Sequence, residues 1–185
     1  MSAPPRRPRR DALENRDRLL EVAARMFAEG SDHTPARIAH EAGVGVGTLY
    51  RHFPTQESLV VAAHRRQLAL VCDLATDLAS QHPGNVATRL WLEQFLNHAK
   101  ANSNMCSALN AVIASGANPY GDAHELLEDA VSVLLEMGAK DATLRADVSA
   151  DVALLLVGGV THAAQHSSDQ QLQRLVDLFM DALAV

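Results

Sequence analysis

The chain has 185 residues, of which 48% are hydrophobic and 21% are charged, so it can form one domain, or two small ones, around a real apolar core. Its longest apolar run, residues 152–160, is far shorter than the roughly 20 residues of a membrane span. The net charge of −6 at first argues against a nucleic-acid partner.

The charge is unevenly distributed, however. Residues 1–66 carry 11 of the 16 basic and 8 of the 22 acidic residues, a net charge of +3, whereas residues 67–185 carry a net charge of −9. A basic N-terminal part on an acidic body fits a DNA contact confined to one end of the protein. An exposed basic tail that arose by chance is the alternative interpretation.

The first predicted element is a basic arm. Residues 1–13 contain three prolines and four arginines, a composition typical of a disordered segment. Asp11 is a predicted cap for the first helix, which apolar residues at helical spacing extend to about Glu29. Gly30 is predicted to end that helix.

Helices are also predicted along the rest of the chain. Thr34-Pro35 predicts a helix start, because threonine can cap a helix and proline is preset for the first helical position. Gly43 is predicted to stop this short helix, and Thr55 is predicted to cap a long one. The predicted spans after the first short helix are 46–52, 56–80, 85–101, 103–115, 120–138, 149–165 and 169–184.

Alanine and leucine dominate the apolar residues, and both favour helices. No segment alternates convincingly as a strand. The expected fold is therefore all-α, with three helices in the N-terminal part, joined by a long helix to a C-terminal helical bundle.

Residues 37–53, RIAHEAGVGVGTLYRHF, have the pattern of a helix-turn-helix. Ala39 and Gly43 would allow two short helices to cross closely. The second helix would then present hydroxyls, a guanidinium, an imidazole and a small apolar surface, which suit a DNA major groove. The apolar residues expected to pack the two helices are Ile38, Ala39, Val44, Leu49 and Phe53.

This segment resembles the DNA-binding domain of the TetR family, whose hallmark is Gly-Val-x-x-Gly-Thr-Leu-Tyr-x-His-Phe followed by a helix start. Residues 43–53 read GVGVGTLYRHF, and Ile38-Ala39 before them and Glu57-Ser58-Leu59 after them also fit. The resemblance implies a DNA-binding domain over residues 14–66. It also implies a dimerisation and effector-binding domain over residues 67–185.

The resemblance implies roles for individual residues. Val46, Gly47 and Arg51 would lie nearest to base edges, while the other positions would mainly hold phosphates. The helix that starts at Thr55 would point its N–H groups at a phosphate, and Gln56 weakens one contact because many members have Lys or Arg there. The full implied DNA-binding set is Thr34, Arg37, Val46, Gly47, Thr48, Tyr50, Arg51, His52, Thr55 and Gln56.

The resemblance also implies a homodimer, because two recognition helices roughly 34–36 Å apart read a two-fold operator. The last two helices are the predicted interface, and the helix over residues 120–138 is the second candidate. The other interpretation is that the apolar faces of these helices pack only within the chain's own core. The predicted interface residues are Leu155, Gly158, Gly159, Leu175, Leu178 and Phe179.

The resemblance places an effector cavity in the middle of the C-terminal domain, residues 67–185. The candidate lining residues are Trp91, Phe95, His98, Met105, Cys106 and Tyr120. The same residues suit an ordinary core equally well.

No cofactor, metal or catalytic activity is expected. His162 and His166 stand four residues apart, a workable pair of metal ligands, but no third ligand stands at a telling spacing. No nucleophile elbow or phosphate-binding loop is present. Two isolated cysteines and an N-terminus without an apolar stretch favour the cytoplasm.

The expected function is therefore a DNA-binding transcriptional regulator. It would be a repressor that binds a palindromic operator as a dimer and is released by a small-molecule effector. One alternative is a helical small-molecule binding protein or enzyme with a non-functional DNA-binding head. The other is a DNA-binding protein that has no effector.

Overall fold

The computed structural model describes residues 8–30, 33–114, 116 and 121–185. In this part of the chain no strand forms, although an isolated antiparallel bridge joins Leu144 to Ala184. The prediction of an all-α fold is confirmed. The helices are α1 (Pro8–Glu29), α2 (Pro35–Glu41), α3 (Val46–His52), α4 (Gln56–Gln81), α5 (Gly84–Ala101), α6 (Ser103–Ala114), α7 (Gly121–Lys140), α8 (Ala150–Ala164) and α9 (Asp169–Leu183).

Helix α1 begins earlier than predicted. It starts at Pro8, so the prediction that residues 8–13 are disordered is wrong, and the earlier residues of the arm lie outside the described part of the chain. Proline is tolerated in a first turn because its φ is preset and no N–H is needed there. Asp11 lies in the same turn, where a negative charge is favoured by the helix dipole.

The chain divides into two compact units, with the dividing point inside α4. The first unit comprises Met1–Arg66 and Asn104–Pro119. The second comprises Gln67–Ser103 and Tyr120–Val185.

Helix α6 belongs to the first unit, not to the second. Met105, Leu109 and Val112 recur on one face of α6 and are buried in the core of the first unit. The Asn104 side-chain amide also donates a 2.8 Å hydrogen bond to the carbonyl of Ala28, near the end of α1. Within the predicted domain over residues 67–185, this helix therefore packs with the first unit.

Apolar burial holds the first unit together. Each fully buried large side chain stabilises the fold by about 1.5–3 kcal/mol. The ion pairs Arg25–Glu41 and Arg66–Asp17, at 3.2 and 3.0 Å, are exposed, and such pairs contribute at most about 1 kcal/mol. The largest fully buried side chains of this core are Phe27, Leu19, Ile38, Leu49, Leu59, Met105 and Leu109.

In the second unit, α5 packs against α7, α8 and α9. Trp91 on α5 is fully buried, and its ring stacks on Phe95 with 5.2 Å between centroids. The indole N–H donates a 3.0 Å hydrogen bond to the carbonyl of Val71, so its polar atom is satisfied within the core. Cys72 is a buried free thiol, and burial, with smaller effects of Asp73 and Asp129, raises its pKa to about 11.

None of the described helices combines the length and the apolar character that crossing a bilayer requires.

Candidate nucleic-acid interface

A tight turn joins α2 to α3. Gly43 has φ +66°, a left-handed conformation that glycine adopts without a steric penalty. Its N–H donates to the carbonyl of His40, and the N–H of Val44 donates to the carbonyl of Ala39, both at 3.0 Å. This pair of bonds is a Schellman motif, which satisfies the last carbonyls of α2 and redirects the chain into α3.

Helix α3 has one buried face and one open face. Leu49 is 1% exposed and anchors the helix in the core of the first unit, and Phe53 ends it with a 2.8 Å bond from its N–H to the Leu49 carbonyl. On the open face Val46 and Tyr50 are exposed, and a β-carbon at Gly47 would meet nothing within 4 Å. This face carries residues that the sequence predicts to lie near bases and phosphates.

The remaining predicted residues of α3 differ in exposure. Arg51 is exposed, whereas Thr48 and His52 are half-buried. All three lie on the seven-residue helix, so the structure brings the predicted residues of α3 together on one element. Thr48 and His52 therefore remain partly accessible to solvent.

The start of α4 is capped reciprocally. The hydroxyl of Thr55 accepts a 3.1 Å hydrogen bond from the N–H of Ser58, and the Ser58 hydroxyl accepts a 3.2 Å bond from the N–H of Thr55. The predicted cap is therefore present. Because Ser58 already occupies the Thr55 N–H, a phosphate here would have to use the N–H groups of Gln56 and Glu57.

The predicted cap of α2 is absent. Thr34 makes no side-chain capping bond, and Pro35, preset for a first turn, begins the helix instead. Thr34, Arg37 and Gln56 are all exposed in the first unit, as a phosphate contact would require.

The sequence did not identify one further cation beside this surface. The guanidinium carbon of Arg16 on α1 lies over the Phe53 ring, 5.4 Å from its centroid. The two residues are far apart in the chain, and no local spacing connects them.

The predicted dimer residues separate into two groups. Leu155 and Leu178 are 78% and 51% exposed, and Gly158 and Gly159 face open space. Phe179 is instead buried in the core of the second unit, so its assignment to the interface is wrong. One residue step turns a helix by about 100°, which places Phe179 away from Leu178 and on the packed side of α9. Leu175 is half-buried.

The described effector candidates fall in both units. Trp91 and Phe95 stack in the second unit, whereas Met105 is buried in the core of the first. Tyr120 and the side chain of Cys106 lie outside the described residues. His98 is half-buried, and burial lowers its pKa; Asn102 donates a 2.8 Å bond to its carbonyl.

The second unit encloses a cavity of about 10 Å³ within its described residues. This volume is close to the minimum for one water molecule. The cavity is lined by Thr88, Trp91, Val131, Leu134, Leu135, Ala153, Val157, Phe179 and Leu183.

The histidine pair does not extend to a larger cluster. The rings of His162 and His166 meet edge to face, with 5.8 Å between centroids. In the described part of the chain, no group of three potential ligands could hold a metal ion.

Two family models match the chain. Residues 19–63 match the model of the tetR family of bacterial regulatory proteins. Residues 82–185, more than half of the chain, match the model of the C-terminal domain of SbtR-like transcriptional regulators.

Solved structures agree with these matches. The TetR transcriptional regulator SCO0520 from Streptomyces coelicolor is 40% identical, with a TM-score of 0.72 over 91% of this chain and 98% of that one. A TetR transcription regulatory protein from Mycobacterium vanbaalenii is 30% identical, with a TM-score of 0.71 over 96% of this chain and 99% of that one.

An HTH-type transcriptional regulator of Staphylococcus aureus, SAB2452, is 45% identical over 62 residues, which are 32% of this chain and 34% of that protein. The match thus spans about a third of the length of this curated relative. The family matches, the helix-turn-helix with its open face, and the near full-length likeness to solved regulators agree. The chain belongs to the TetR family, whose members are DNA-binding transcriptional regulators and not enzymes.

Proposed function

We propose that the protein is a cytoplasmic repressor, which binds a two-fold symmetric operator as a homodimer and releases it when a small-molecule effector binds. The observation that carries this proposal is the open face of α3. Val46, Gly47 and Tyr50 are exposed on a helix whose opposite side is anchored by Leu49. A rigid helix with such a face can enter the major groove.

The chemistry of this face supports specific binding to a duplex. Arg51 can make a bidentate contact with a guanine, and the small Gly47 allows the helix to approach the base edges closely. Thr34, Arg37 and Thr55 would contact phosphates and fix the register of α3. The net charge of +3 over residues 1–66 favours the approach of DNA to this unit.

An exposed apolar surface supports dimerisation. Val152, Leu155 and Leu156 are 47%, 78% and 43% exposed on α8, and Gly159 continues the same stripe one turn further. Exposed leucines that cluster on one helix face are typical of an interaction surface. A second copy is the partner we propose, because a two-fold operator requires one.

The effector proposal rests on the core of the second unit. A cavity of about 10 Å³ is too small for an organic molecule, so an effector that binds in this core would have to displace side chains around Trp91. The cavity is apolar apart from Thr88, whose hydroxyl already donates to the Gly84 carbonyl at 2.8 Å. An apolar effector is therefore favoured. Such an effector would change DNA affinity only if it bound the DNA-binding form and the DNA-releasing form of the protein with different affinities.

To test the proposal, DNA duplexes that the protein binds are selected from genomic fragments. The protein is then titrated against a selected duplex in gel-shift experiments at several salt concentrations. The wild-type protein should bind a selected site tightly and in a salt-dependent manner. Tyr50→Ala and Arg51→Ala should each weaken binding by roughly ten- to a hundredfold, because a good base or phosphate contact contributes about 1–3 kcal/mol.

Arg145→Ala is the matched control, since Arg145 is an exposed arginine of the second unit that lies between α7 and α8, outside the proposed dimer surface. It should leave DNA affinity unchanged. Circular dichroism would show that all variants remain folded. A wild-type protein that ignored every duplex at low salt would exclude the proposed function, and normal binding by both α3 variants would place the recognition surface elsewhere.

A further inference from the structure

Arg16 is held beside the end of the recognition helix by a contact that the sequence does not reveal. Its guanidinium carbon lies over the Phe53 ring, 5.4 Å from the ring centroid, which is within the range of a cation–π interaction. The Phe53 ring is itself fixed, because Phe53 is 3% exposed and its N–H donates to the Leu49 carbonyl. The side chain of Arg16 is thus positioned by a rigid neighbour.

The contact positions the charge of Arg16 without neutralising it. Two other arginines of the first unit are paired with carboxylates: Arg25 with Glu29 and Glu41, and Arg66 with Asp17. On α1 itself, the residues three and four positions from Arg16 carry no charge. They are Leu13, Leu19, Ala12 and Leu20.

A cation–π contact of a guanidinium with a ring face uses none of its N–H groups in a conventional hydrogen bond. Its N–H groups point outward in the guanidinium plane, and they suit a phosphate, which they can bind in a bidentate manner. Arg16 is exposed, so these donors can be reached from solvent.

The location of Arg16 points to DNA rather than to another anion. The ring centroids of His52 and Phe53 lie 6.2 Å apart, and Thr55 caps the next helix shortly after them. His52 and Thr55 are the positions at which phosphates are expected beside α3. Arg16 therefore lies at the end of α3 where the DNA backbone would pass.

We propose that Arg16 binds a backbone phosphate of the DNA duplex beside the recognition helix, and that the Phe53 ring positions its guanidinium for this contact. The proposal rests on the DNA-binding role of α3 described above. It adds a residue of α1 to an interface otherwise formed by α2, α3 and the start of α4. A phosphate contact strengthens binding to every sequence and carries no base preference.

The test compares Arg16→Ala with Arg18→Ala. Arg18 is a matched control: it is an exposed arginine on the same helix, it donates to Asn15, and Glu14 and Glu21 stand four and three positions away. Gel-shift titrations over a range of salt concentrations give both the affinity and the slope of log K against log[salt].

Arg16→Ala should weaken binding by about tenfold, because a hydrogen-bonded charge contact is lost, and should reduce the magnitude of the salt slope by about one. The loss should be similar for the selected site and for unrelated duplex. Arg16→Lys should keep most of the slope because it keeps the charge. Arg18→Ala should keep both the affinity and the slope.

The Phe53 part of the proposal is tested by Phe53→Leu, which keeps an apolar side chain in the core but removes the ring face. In this background Arg16→Ala should cost clearly less affinity than in the wild type. If Phe53→Leu does not fold, Arg16→Lys in the wild-type background tests the same point. It keeps the charge but loses the planar guanidinium that contacts the ring, so it should bind more weakly than the wild type.

Three outcomes would overturn the inference and are distinguishable. If wild type binds DNA and Arg51→Ala does not, but Arg16→Ala binds with an unchanged salt slope, then Arg16 is not at the interface and the proposed function stands. A lower affinity with an unchanged slope would assign Arg16 a purely structural role. If the wild type binds no duplex, the proposed function fails and this inference fails with it.

Discussion

Gly84 and Gly138 lie so close together that a β-carbon added to Gly84 would stand 2.2 Å from the Cα of Gly138. Gly84 is the first residue of α5, and Gly138 lies in the last turn of α7. Backbone therefore meets backbone at this crossing, and no flexible side chain can move aside. The two helices that meet here also contribute to the core around Trp91.

Gly84→Ala should therefore destabilise the second unit by about 1–3 kcal/mol, the usual cost of overpacking a core. Thermal and urea unfolding would measure the change. Gly47→Ala is the control, because a β-carbon at Gly47 meets nothing within 4 Å and alanine favours a helix. An unchanged melting temperature for Gly84→Ala would show that α5 and α7 can separate at no cost.

Asp141 reinforces the same crossing through its carboxylate. It accepts hydrogen bonds from the hydroxyl of Thr143 at 2.6 Å and from the N–H of Gly84 at 2.7 Å, and these bonds hold the pKa of Asp141 below its usual value. A lowered pKa means that the ionised form stabilises the fold at neutral pH. This contribution is lost as the pH falls through the lowered pKa.

Asp141→Asn should accordingly lower the melting temperature at pH 7, because a neutral amide accepts these bonds more weakly. The difference from the wild type should shrink in acid, once Asp141 itself is protonated. Melting curves from neutral pH down to roughly pH 3 would test both statements. A constant difference across this range would mean that the charge of Asp141 is not responsible.

The proposed dimer surface can be tested at its most exposed leucine. Leu155 is 78% exposed, so Leu155→Glu removes little core packing but places a charge in the interface. The variant should be monomeric by light scattering and should lose tight operator binding. Leu13→Glu, on a leucine of α1 that is 64% exposed, is the matched control and should remain dimeric. Dimers of Leu155→Glu would require another interface.

Trp91 offers a direct report on effector binding, because it is the only tryptophan and lines the cavity of the second unit. A compound that enters this core should change the emission of Trp91 over the same concentrations at which it releases operator DNA. A metabolite screen by gel shift, repeated by fluorescence, would test this. Release of DNA without any change in emission would place the effector site elsewhere.

Much of the local structure could be predicted from the sequence, because its causes are local. Proline at a first turn, glycine after a last turn and apolar residues at helical spacing act within a few residues. Both the turn at Gly43 and the cap at Thr55 occur as expected. The cap predicted at Thr34 does not form, since Pro35 can start α2 without it.

The choice of packing partner was not predictable in the same way. Met105, Leu109 and Val112 mark an apolar face of α6, but the pattern does not specify which core buries it. The same limit explains Phe179, which shares its helix with Leu178 but turns into the core.

By itself the sequence determined that the chain is helical, where most helices begin and end, and that a short segment around Gly47 and Tyr50 belongs to a helix-turn-helix. Only the tertiary structure decided that α6 packs with the first unit, that Leu155 remains exposed while Phe179 does not, and that Arg16 lies over Phe53. The physical reason is range: hydrogen bonds and side-chain spacing within a helix are set by neighbours, whereas packing joins residues that are distant in the chain.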